Sequence, residues 1–322
     1  MKTSALLRLA LAVLAAGALR GQDVVRLGNL KFAHYGAVSY MKELAPKYGL
    51  RIEERMFAKG IDINPAIVAG EIDLSASAAD AAIAGRAAGV PLVVVAGFAK
   101  GGARIVARPQ LGIHTVEALK GRKVGVARGG AQELLLLAEL AQHHLTWADR
   151  PGKDVLVVYL AFPDLNQALM AGDIDAMCQS EPYSSQALRR GYGVEVMKPY
   201  DTPMGEPVRA LVMTEKLYKE KRDVALRVMK CFVDATRTFL AEPATAERYV
   251  RERMFAKQLS SEEYQDAIGN SPFTYDITVE HIQVTTDLMV KYNVGRMANP
   301  PRAADWTRLD LLQEAKRDLK VK

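Results

Sequence analysis

The chain has 322 residues, of which 49% are hydrophobic and 25% are charged, a composition typical of a folded globular protein and not of a disordered one. Its 43 Lys and Arg and 37 Asp and Glu give a formal net charge of +6, too small for this length to indicate a nucleic-acid-binding surface. A chain of this length is too long for one simple hydrophobic core, so the length favours two lobes.

Residues 1–21 are predicted to be a secretory signal peptide. A short cationic start precedes the apolar core LALAVLAAGAL, and the small residues Ala16, Gly17 and Ala18 form a cleavage site. The alternative is a membrane anchor, but the apolar core is too short to span ~30 Å of hydrocarbon as a helix. We therefore expect an exported, periplasmic protein.

Strand-like and helix-like segments alternate from Val24 to Thr214, which predicts an α/β fold with largely parallel sheets. From Glu215 onward the pattern changes to amphipathic helices, predicted over 215–241, 243–257, 260–270 and 278–295. The ten predicted strands are VVRLGNL (24–30), RIEERMF (51–57), IDLSAS (72–77), PLVVVAGF (91–98), ARIVAR (103–108), KVGVA (123–127), VLVVYL (155–160), IDAMCQS (174–180), VEVMK (194–198) and RALVMT (209–214).

One short pattern occurs twice, as AGEIDLSAS ending at Ser77 and as AGDIDAMCQS ending at Ser180. Each copy follows a helical pattern and enters a strand after a glycine that suits a helix C-cap. The repeat predicts equivalent helix–glycine–strand segments in two similar lobes, with a ligand cleft at the facing strand ends. The alternative is a repeated helix-stop device with no ligand role. Ser77 and Asp80 also fit a capping box.

Three blocks in register, 69–96, 116–140 and 165–188, resemble the substrate-binding proteins of ABC importers, in particular those for nitrate, sulfonates, taurine and pyrimidine precursors of thiamine. The resemblance implies a two-lobed periplasmic-binding-protein fold of type II, with two crossings and a helical C-terminal region. Lobe 1 is expected to comprise 23–107 plus 205–322, and lobe 2 to comprise 108–204. The chain would cross near Arg108–Pro109 and return near Pro203–Pro207, and the lobes would close by hinge motion.

The resemblance also implies the function of a monomeric solute-binding protein that delivers a small molecule to importer permease subunits and performs no chemistry. The five histidines form no HExxH or Cys/His ligand set, and no GxSxG, P-loop or GxGxxG motif is present, so no metal and no cofactor are predicted. The alternatives are an enzyme like thiamine-pyrimidine synthase, whose Cys-rich iron-binding stretch this sequence lacks, and a ligand-sensing partner of a signalling receptor. Cys178 and Cys231 lie in apolar stretches and are predicted to be free and buried.

The segment KVGVARGGAQELLLL contains the strongest candidate binding residues, Arg128, Gly129, Gly130 and Ala131. A helix predicted to begin near Ala131 presents free N–H groups and a favourable dipole to an anion, and Arg128 can pair with it bidentately. The alternative is a plain glycine-rich turn with a solvent-facing Arg128.

Ser77 and Ala78 stand at a second predicted helix start, where the family places ligand contacts. The alternative for Ser77 is a helix N-cap alone. The two roles are compatible, because the Ser77 hydroxyl could cap the helix and contact a ligand at the same turn.

The segment QSEPYS resembles the family's aromatic-Glu-Pro-aromatic signature and offers Glu181 and Tyr183. Glu181 would accept from a ligand N–H, stay paired with a Lys or Arg, or serve as a first-turn helix acid. Tyr183 is predicted to form a pocket wall. Lys31, His34 and Tyr35 follow the first strand and mix charge, ring and hydrogen-bonding capacity as pockets do, although ordinary loop residues would look the same.

These residues leave two ligand classes open. Arg128 and Lys31 favour a carboxylate or a sulfonate, whereas Glu181, Tyr183 and Tyr35 suit a pyrimidine or another aromatic N–H donor.

If the signal prediction holds, the mature protein from its native host begins between Leu19 and Asp23, because signal peptidase cuts after the small-residue site. Amino-terminal sequencing of the native protein measures this directly. Soluble protein that retains Met1 would refute export through this segment.

Overall fold

The structure, a computed structural model, describes residues 21–321. The predicted signal segment 1–21 falls on residues outside this range except for its last one, so its prediction is not tested by the fold. None of the helices between residues 21 and 321 combines the length and apolar character that a membrane span needs.

Eleven strands form within residues 21–321, and ten of them match the predicted segments to within two residues at each end. The additional strand has only two residues, too few to leave a pattern in the sequence. The strands are β1 (Asp23–Leu30), β2 (Leu50–Phe57), β3 (Leu74–Ala78), β4 (Leu92–Lys100), β5 (Ala103–Ala107), β6 (Lys123–Val126), β7 (Trp147–Ala148), β8 (Val155–Tyr159), β9 (Ala176–Ser180), β10 (Val194–Met197) and β11 (Val208–Thr214).

The α-helices of the described chain lie between these strands and after the last of them. They are α1 (Gly36–Leu44), α2 (Ile63–Val68), α3 (Ala79–Ala87), α4 (Ala131–Gln142), α5 (Phe162–Ala171), α6 (Tyr183–Arg189), α7 (Glu215–Glu220), α8 (Arg222–Ala241), α9 (Pro243–Arg248), α10 (Ser261–Asn270), α11 (Val279–Lys291) and α12 (Asp310–Asp318). Short 3-10 turns occur at Ala33–Tyr35, Ala45–Tyr48, Gly60–Asp62, Pro109–Leu111, Glu117–Leu119 and Ala303–Asp305, and a π-helical turn at Tyr249–Met254.

The helical C-terminal region departs from its prediction in three places. The helix expected over 215–241 is interrupted at Lys221, whose backbone leaves the helical region, and the helix expected over 243–257 becomes a π-helical turn after Arg248. Helix α12 was not predicted. Its strongly polar composition, with apolar positions only at Leu311, Leu312 and Ala315 on the buried face, gives a weak sequence signal.

The strands form two mixed sheets, with strand orders β2-β1-β3-β11-β4 and β10-β5-β9-β6-β8-β7. In each sheet one strand runs against the others: β11 is antiparallel to β3 and β4, and β5 is antiparallel to β9 and β10. The sheets are therefore largely parallel, as predicted, with one reversed strand in each. Each reversed strand is the first strand in the sequence after the chain passes from one sheet to the other. No crossover helix precedes it to return the chain to the common direction.

The first crossing lies at Gly101–Gly102 and not near Arg108–Pro109 as predicted. β5 pairs with β9 in the second sheet from Ala103↔Ser180 onward, so ARIVAR belongs to that sheet. The chain returns between β10 and β11, in the segment 198–207 that includes the predicted return at 203–207. The other lobe boundaries remain predictions.

The two copies of the repeated pattern lie in different sheets, as predicted: β3 ends one copy in the first sheet and β9 ends the other in the second. Gly70 and Gly172 both adopt left-handed φ angles, +72° and +82°, which a side chain would strain. The predicted capping box of Ser77 and Asp80 is wrong, because Ala78 is the N-cap of α3 and no side chain caps that helix.

Helix α10 links the C-terminal region to the second sheet through ion pairs. Arg190 Nε lies 2.6 Å from Glu263, and Arg104 Nη1 in β5 lies 2.7 Å from Asp266. By the predicted boundaries α10 belongs to lobe 1, so this helix bridges the two sheets. Cys178 and Cys231 are both buried and free.

Candidate functional site

A small cavity of about 30 Å³, which we call the inner cavity, lies between the two sheets. Its first-sheet side includes His34, Tyr35 and Asp80, and its second-sheet side includes residues 128–132 and Ser180. A volume of this size has room for one or two water molecules. The inner cavity is thus a nearly closed gap at the junction of the sheets.

A larger cavity of about 510 Å³, the outer cavity, adjoins the inner one and shares Phe32, Lys59, Arg128 and Phe162 with it. Together the two cavities form one cleft with a polar base and an aromatic mouth. The further rings of the mouth are those of Phe57, Tyr159 and Tyr183.

Arg209 in β11 is the charged group at the base of the inner cavity, and the sequence analysis did not select it. Only 2% of its surface is exposed. Its Nε–H donates to His34 Nε2 at 3.2 Å, while its Nη1 has no hydrogen-bond partner among residues 21–321. A buried guanidinium with a free N–H group is costly unless an acceptor reaches it, and an anionic oxygen is the strongest such acceptor.

His34 lies beside Arg209 as a neutral ring. Burial, followed by the positive charge of Arg209, holds the pKa of His34 well below its ordinary value. Because Nε2 accepts from Arg209, the proton of the neutral ring belongs on Nδ1, and that atom has no partner in the described part of the chain. His34 therefore offers a second free donor in a residue that lines the cavity.

Asp80, in the first turn of α3, is the only carboxylate among the described residues that line the inner cavity. Burial raises its pKa to about 7, although Arg209 opposes the rise. Its Oδ1 has no hydrogen-bond partner within residues 21–321. Near neutral pH a large fraction of Asp80 is thus protonated and able to donate to a ligand oxygen.

The turn before α4 is arranged as predicted at Gly130 and Ala131 but not at Gly129. Helix α4 begins at Ala131, and both Gly130 and Ala131 line the inner cavity, where first-turn amides have no intrahelical acceptor. The Gly129 N–H instead donates to the Glu133 carboxylate. Gly129 lines the cavity, but its amide is already bonded within the protein.

Arg128 lines both cavities, and its side chain is 51% exposed. Its guanidinium carbon lies 3.7 Å from the centroid of the Tyr159 ring, and its Nη2 lies 3.4 Å from Asp149 Oδ2. Arg128 therefore lies at the mouth of the cleft, stacked on the Tyr159 ring, whereas Arg209 lies at the inner end of the cleft.

An aromatic contact crosses the cleft between the sheets. The Phe32 ring, from the segment after β1, makes edge contacts with Phe162 at 5.3 Å and with Tyr183 at 5.9 Å between centroids. Tyr183 thus takes the predicted position on a pocket wall. Lys31 also lines the outer cavity, but its ammonium lies 5.4 Å from the Phe255 ring centroid.

The structure brings most of the predicted residues together, but Ser77 is not on the surface of either cavity. Ser77 is buried in β3 behind Gly60, where a Cβ atom would lie 2.9 Å from Ser77 Cβ. The inner cavity is lined by His34, Tyr35, Ala78, Arg128, Gly129, Gly130 and Ala131, and the outer cavity by Lys31, Arg128 and Tyr183.

Glu181 is likewise outside both cavities, and two of its three proposed roles are observed: it pairs with Arg104, and it accepts from the Ser185 amide in the first turn of α6 at 3.0 Å. It is fully buried and lies 3.0 Å from Arg104 Nε. It accepts from Asn270 Nδ2 at 2.8 Å and from the Ser185 hydroxyl at 2.7 Å. Its oxygens are thus engaged by protein groups that join β5, α6 and α10.

A still larger cavity of about 740 Å³ lies at the amino end of β1, away from the cleft. Two ion pairs form among its charged groups: Arg26 Nη2 lies 2.7 Å from Asp73 Oδ1, and Lys219 Nζ lies 2.5 Å from Glu215 Oε2. Parallel strands bind ligands at their carboxyl ends, and β1 enters this cavity at its amino end. We therefore assign the candidate site to the smaller cleft, where Arg209, His34 and Asp80 have unpartnered polar atoms.

The cleft residues that the sequence analysis missed include Arg209, Asp80, Gln132, Phe162, Lys59, Phe57 and Tyr159. One signal was available for Arg209, a lone charge in the otherwise apolar strand RALVMT. Asp80 was interpreted as a capping residue, and its burial depends on chain segments distant in sequence.

A model of the NMT1-like family matches residues 22–252. A protein of Brachyspira hyodysenteriae, provisionally named an ABC transporter periplasmic binding protein, is 25% identical over 240 residues, covering 69% of this chain and 67% of its own length. A protein of Escherichia coli K12, provisionally named an aliphatic sulfonates-binding protein, is 34% identical over 145 residues, covering 44% of this chain and 43% of its own length.

Among solved structures, the alkanesulfonate-binding protein SsuA of Xanthomonas axonopodis pv. citri, bound to MOPS, superposes with a TM-score of 0.74 at 18% identity. The match covers 89% of this chain and 98% of the SsuA chain. The likeness confirms the predicted two-lobed periplasmic-binding-protein fold.

Replacing Asp80 by Asn should change how stability depends on pH. Unfolding returns Asp80 to an ordinary pKa of about 3.9. Between about pH 4 and the native pKa of about 7, the native wild-type chain holds a proton that the unfolded chain has lost. The wild type therefore loses about 1.4 kcal/mol of stability per pH unit from this group as the pH rises through that window.

Urea unfolding of wild type and Asp80→Asn between pH 4.5 and 7.5 measures the effect, and the difference should grow in favour of the variant. Asp164→Asn, which removes an exposed first-turn acid from α5, is the matched control. A difference that stays constant with pH would show that Asp80 titrates as an ordinary exposed carboxyl.

Proposed function

Because the chain belongs to the NMT1-like family, we propose that it is an extracytoplasmic solute-binding protein that captures a small organic anion in the cleft and delivers it to the permease subunits of an ABC importer. The names of the relatives support this function: both are provisionally called binding proteins, one of an ABC transporter and one of aliphatic sulfonates. The proposal assigns no chemical step to the protein.

The observation that carries the proposal is the buried, incompletely bonded Arg209 between the two sheets. Its free Nη1 and the free Nδ1 of His34 are donors without protein acceptors in the described chain. The first-turn amides of α4 add donors and a positive helix end from the second sheet. Donors from both sheets would thus converge on one anionic head group.

The aromatic mouth supports an organic anion over a small inorganic one. Phe57, Phe162 and Tyr183 line the outer cavity, whose volume of about 510 Å³ suits an apolar or cyclic body. A carboxylate or sulfonate would place its oxygens at Arg209 and its body against these rings. Arg128, stacked on Tyr159 at the same mouth, would add a screened positive charge.

The positions of the two cysteines give no support to cysteine chemistry in the cleft. Cys178 and Cys231 line neither cavity. Burial raises the pKa of Cys231 to about 12 and that of Cys178 still further, which keeps both thiols protonated.

A panel of anions tests the proposed ligand class. Isothermal titration calorimetry with MOPS, butanesulfonate, butanoate and nitrate should give tighter binding for at least one organic anion than for nitrate, by about tenfold or more, since burial of apolar surface adds to the head-group contacts. Mass spectrometry of co-purifying ligand extends the panel. Binding of nitrate at equal strength, or of none of these anions, would contradict an organic-anion site.

Arg209→Gln should reduce the binding free energy of the identified ligand by about 2–5 kcal/mol, because the anion loses its buried charged partner. This corresponds to an affinity roughly 30- to 4000-fold lower. Arg128→Ala should weaken it less, since that side chain is half-exposed and screened by solvent. Calorimetry of both variants gives the affinities, and ligand-free thermal melting verifies that each remains folded. A larger loss from Arg128→Ala would place the anion at the mouth of the cleft.

A further inference from the structure

Two side chains at the C-terminal end of α4 bury polar atoms that have no hydrogen-bond partner among residues 21–321. Glu139 is fully buried, and neither of its carboxylate oxygens has a hydrogen-bond donor among residues 21–321. His143, the C-cap residue of α4 four residues later, buries an Nε2 that is equally without a partner in that range. Neither residue lines the inner or the outer cavity. The ligand cleft therefore does not explain them.

These atoms face one another together with a second carboxylate, that of Asp201. Glu139 Oε2 lies 3.9 Å from His143 Nε2. One oxygen each from Glu139 and Asp201 and one nitrogen of His143 all lie within 4.8 Å of one another. Two ligands that each lie about 2.1 Å from an ion are at most about 4.2 Å apart, so small side-chain movements would bring all three to coordination distance.

The ring of His143 is already oriented as a metal-binding histidine is. Its Nδ1 lies 2.7 Å from Glu117 Oε1. Because a carboxylate only accepts, the Nδ1 carries the proton and the lone pair belongs to Nε2, which points toward Glu139. A carboxylate that holds the far nitrogen of a histidine is the usual outer partner in zinc sites.

A shared proton is the competing explanation for the two carboxylates. Burial, followed by the neighbouring Asp201, raises the pKa of Glu139 to about 8. A proton between Glu139 and Asp201 would satisfy one oxygen of each. It would leave the buried His143 Nε2 without a partner, whereas a divalent cation engages all three atoms.

We propose that Glu139, His143 and Asp201 form a binding site for one divalent transition-metal ion, with Zn²⁺ as the best match. One imidazole nitrogen and two carboxylate oxygens, with water in the fourth position, form a donor set that suits Zn²⁺. Mg²⁺ prefers an octahedral set of oxygens and gains little from an imidazole.

The site joins α4 to the connection between the sheets. Asp201 lies in the segment 198–207 that returns the chain from β10 to β11, and Gln142 Nε2 already donates to the Asp201 carbonyl at 3.3 Å. A bound ion would tie this connection to the end of α4, whose other end forms the wall of the inner cavity at Ala131.

Tag-free protein stripped with EDTA and titrated with ZnCl₂ at pH 7.5 tests the site. We expect one Zn²⁺ per chain by calorimetry, a saturable rise in melting temperature, and no such rise with MgCl₂. Glu139→Gln and His143→Ala should each lower the affinity for Zn²⁺ by at least about 100-fold, since each removes a direct ligand. Without zinc, Glu139→Gln should melt no lower than wild type, because it removes a buried carboxylate.

His144→Asn is the matched control, since His144 is the adjacent histidine, is exposed, and has a left-handed φ of 56° that Asn tolerates. It should leave Zn²⁺ affinity unchanged. Absence of saturable binding in the wild type would overturn the proposal in favour of the shared proton. Undiminished 1:1 binding in both Glu139→Gln and His143→Ala would overturn it by placing the ion elsewhere.

Discussion

The glycine pair at the first crossing is the constraint on which the cleft depends. Gly101 and Gly102 have left-handed φ angles of +62° and +80°, and a Cβ atom on Gly101 would lie 2.3 Å from the Asn270 carbonyl oxygen. The Gly102 carbonyl accepts from the Ser180 hydroxyl and from the Glu181 amide. A side chain at either glycine would therefore displace α10 or separate the sheets. The absence of two side chains lets the sheets meet closely enough to enclose a polar cavity.

Within that enclosure Arg209 is a buried cation whose Nη1 has no hydrogen-bond partner among residues 21–321. Folding buries Arg209 and neutralises its closest ring neighbour, His34, whose pKa is lowered by burial and by the same guanidinium. Asp80, the nearby carboxyl, has its pKa raised to about 7, so it supplies less than a full negative charge near neutral pH. An unpaired buried charge is expensive, and the proposed anion would compensate for it.

The fold could be predicted from the sequence because strand alternation, glycine caps and the repeated pattern are short-range signals. Helix α4 could be placed for the same reason. The cleft residues depend on contacts between distant segments, such as Arg209 with His34, 175 positions apart. Glu181 shows the opposite error: its sequence context resembles a binding motif, yet the fold surrounds it with Arg104 and Asn270. The roles of Arg209 and Glu181 depend on their burial and on their hydrogen-bond and ion-pair partners, which a local sequence pattern does not predict.

The packing of the cleft bears on how the proposed ligand would enter. The inner cavity of about 30 Å³ has no room for an organic anion, and the Phe32 contacts with Phe162 and Tyr183 close the path to it. These edge contacts join segments on opposite sides of the cleft, so they must separate before an anion reaches Arg209. A ligand with an apolar body replaces the lost ring contacts with its own, whereas a bare inorganic anion does not. If the proposed ligand enters here, the cost of separating these rings would favour an organic anion over an inorganic one.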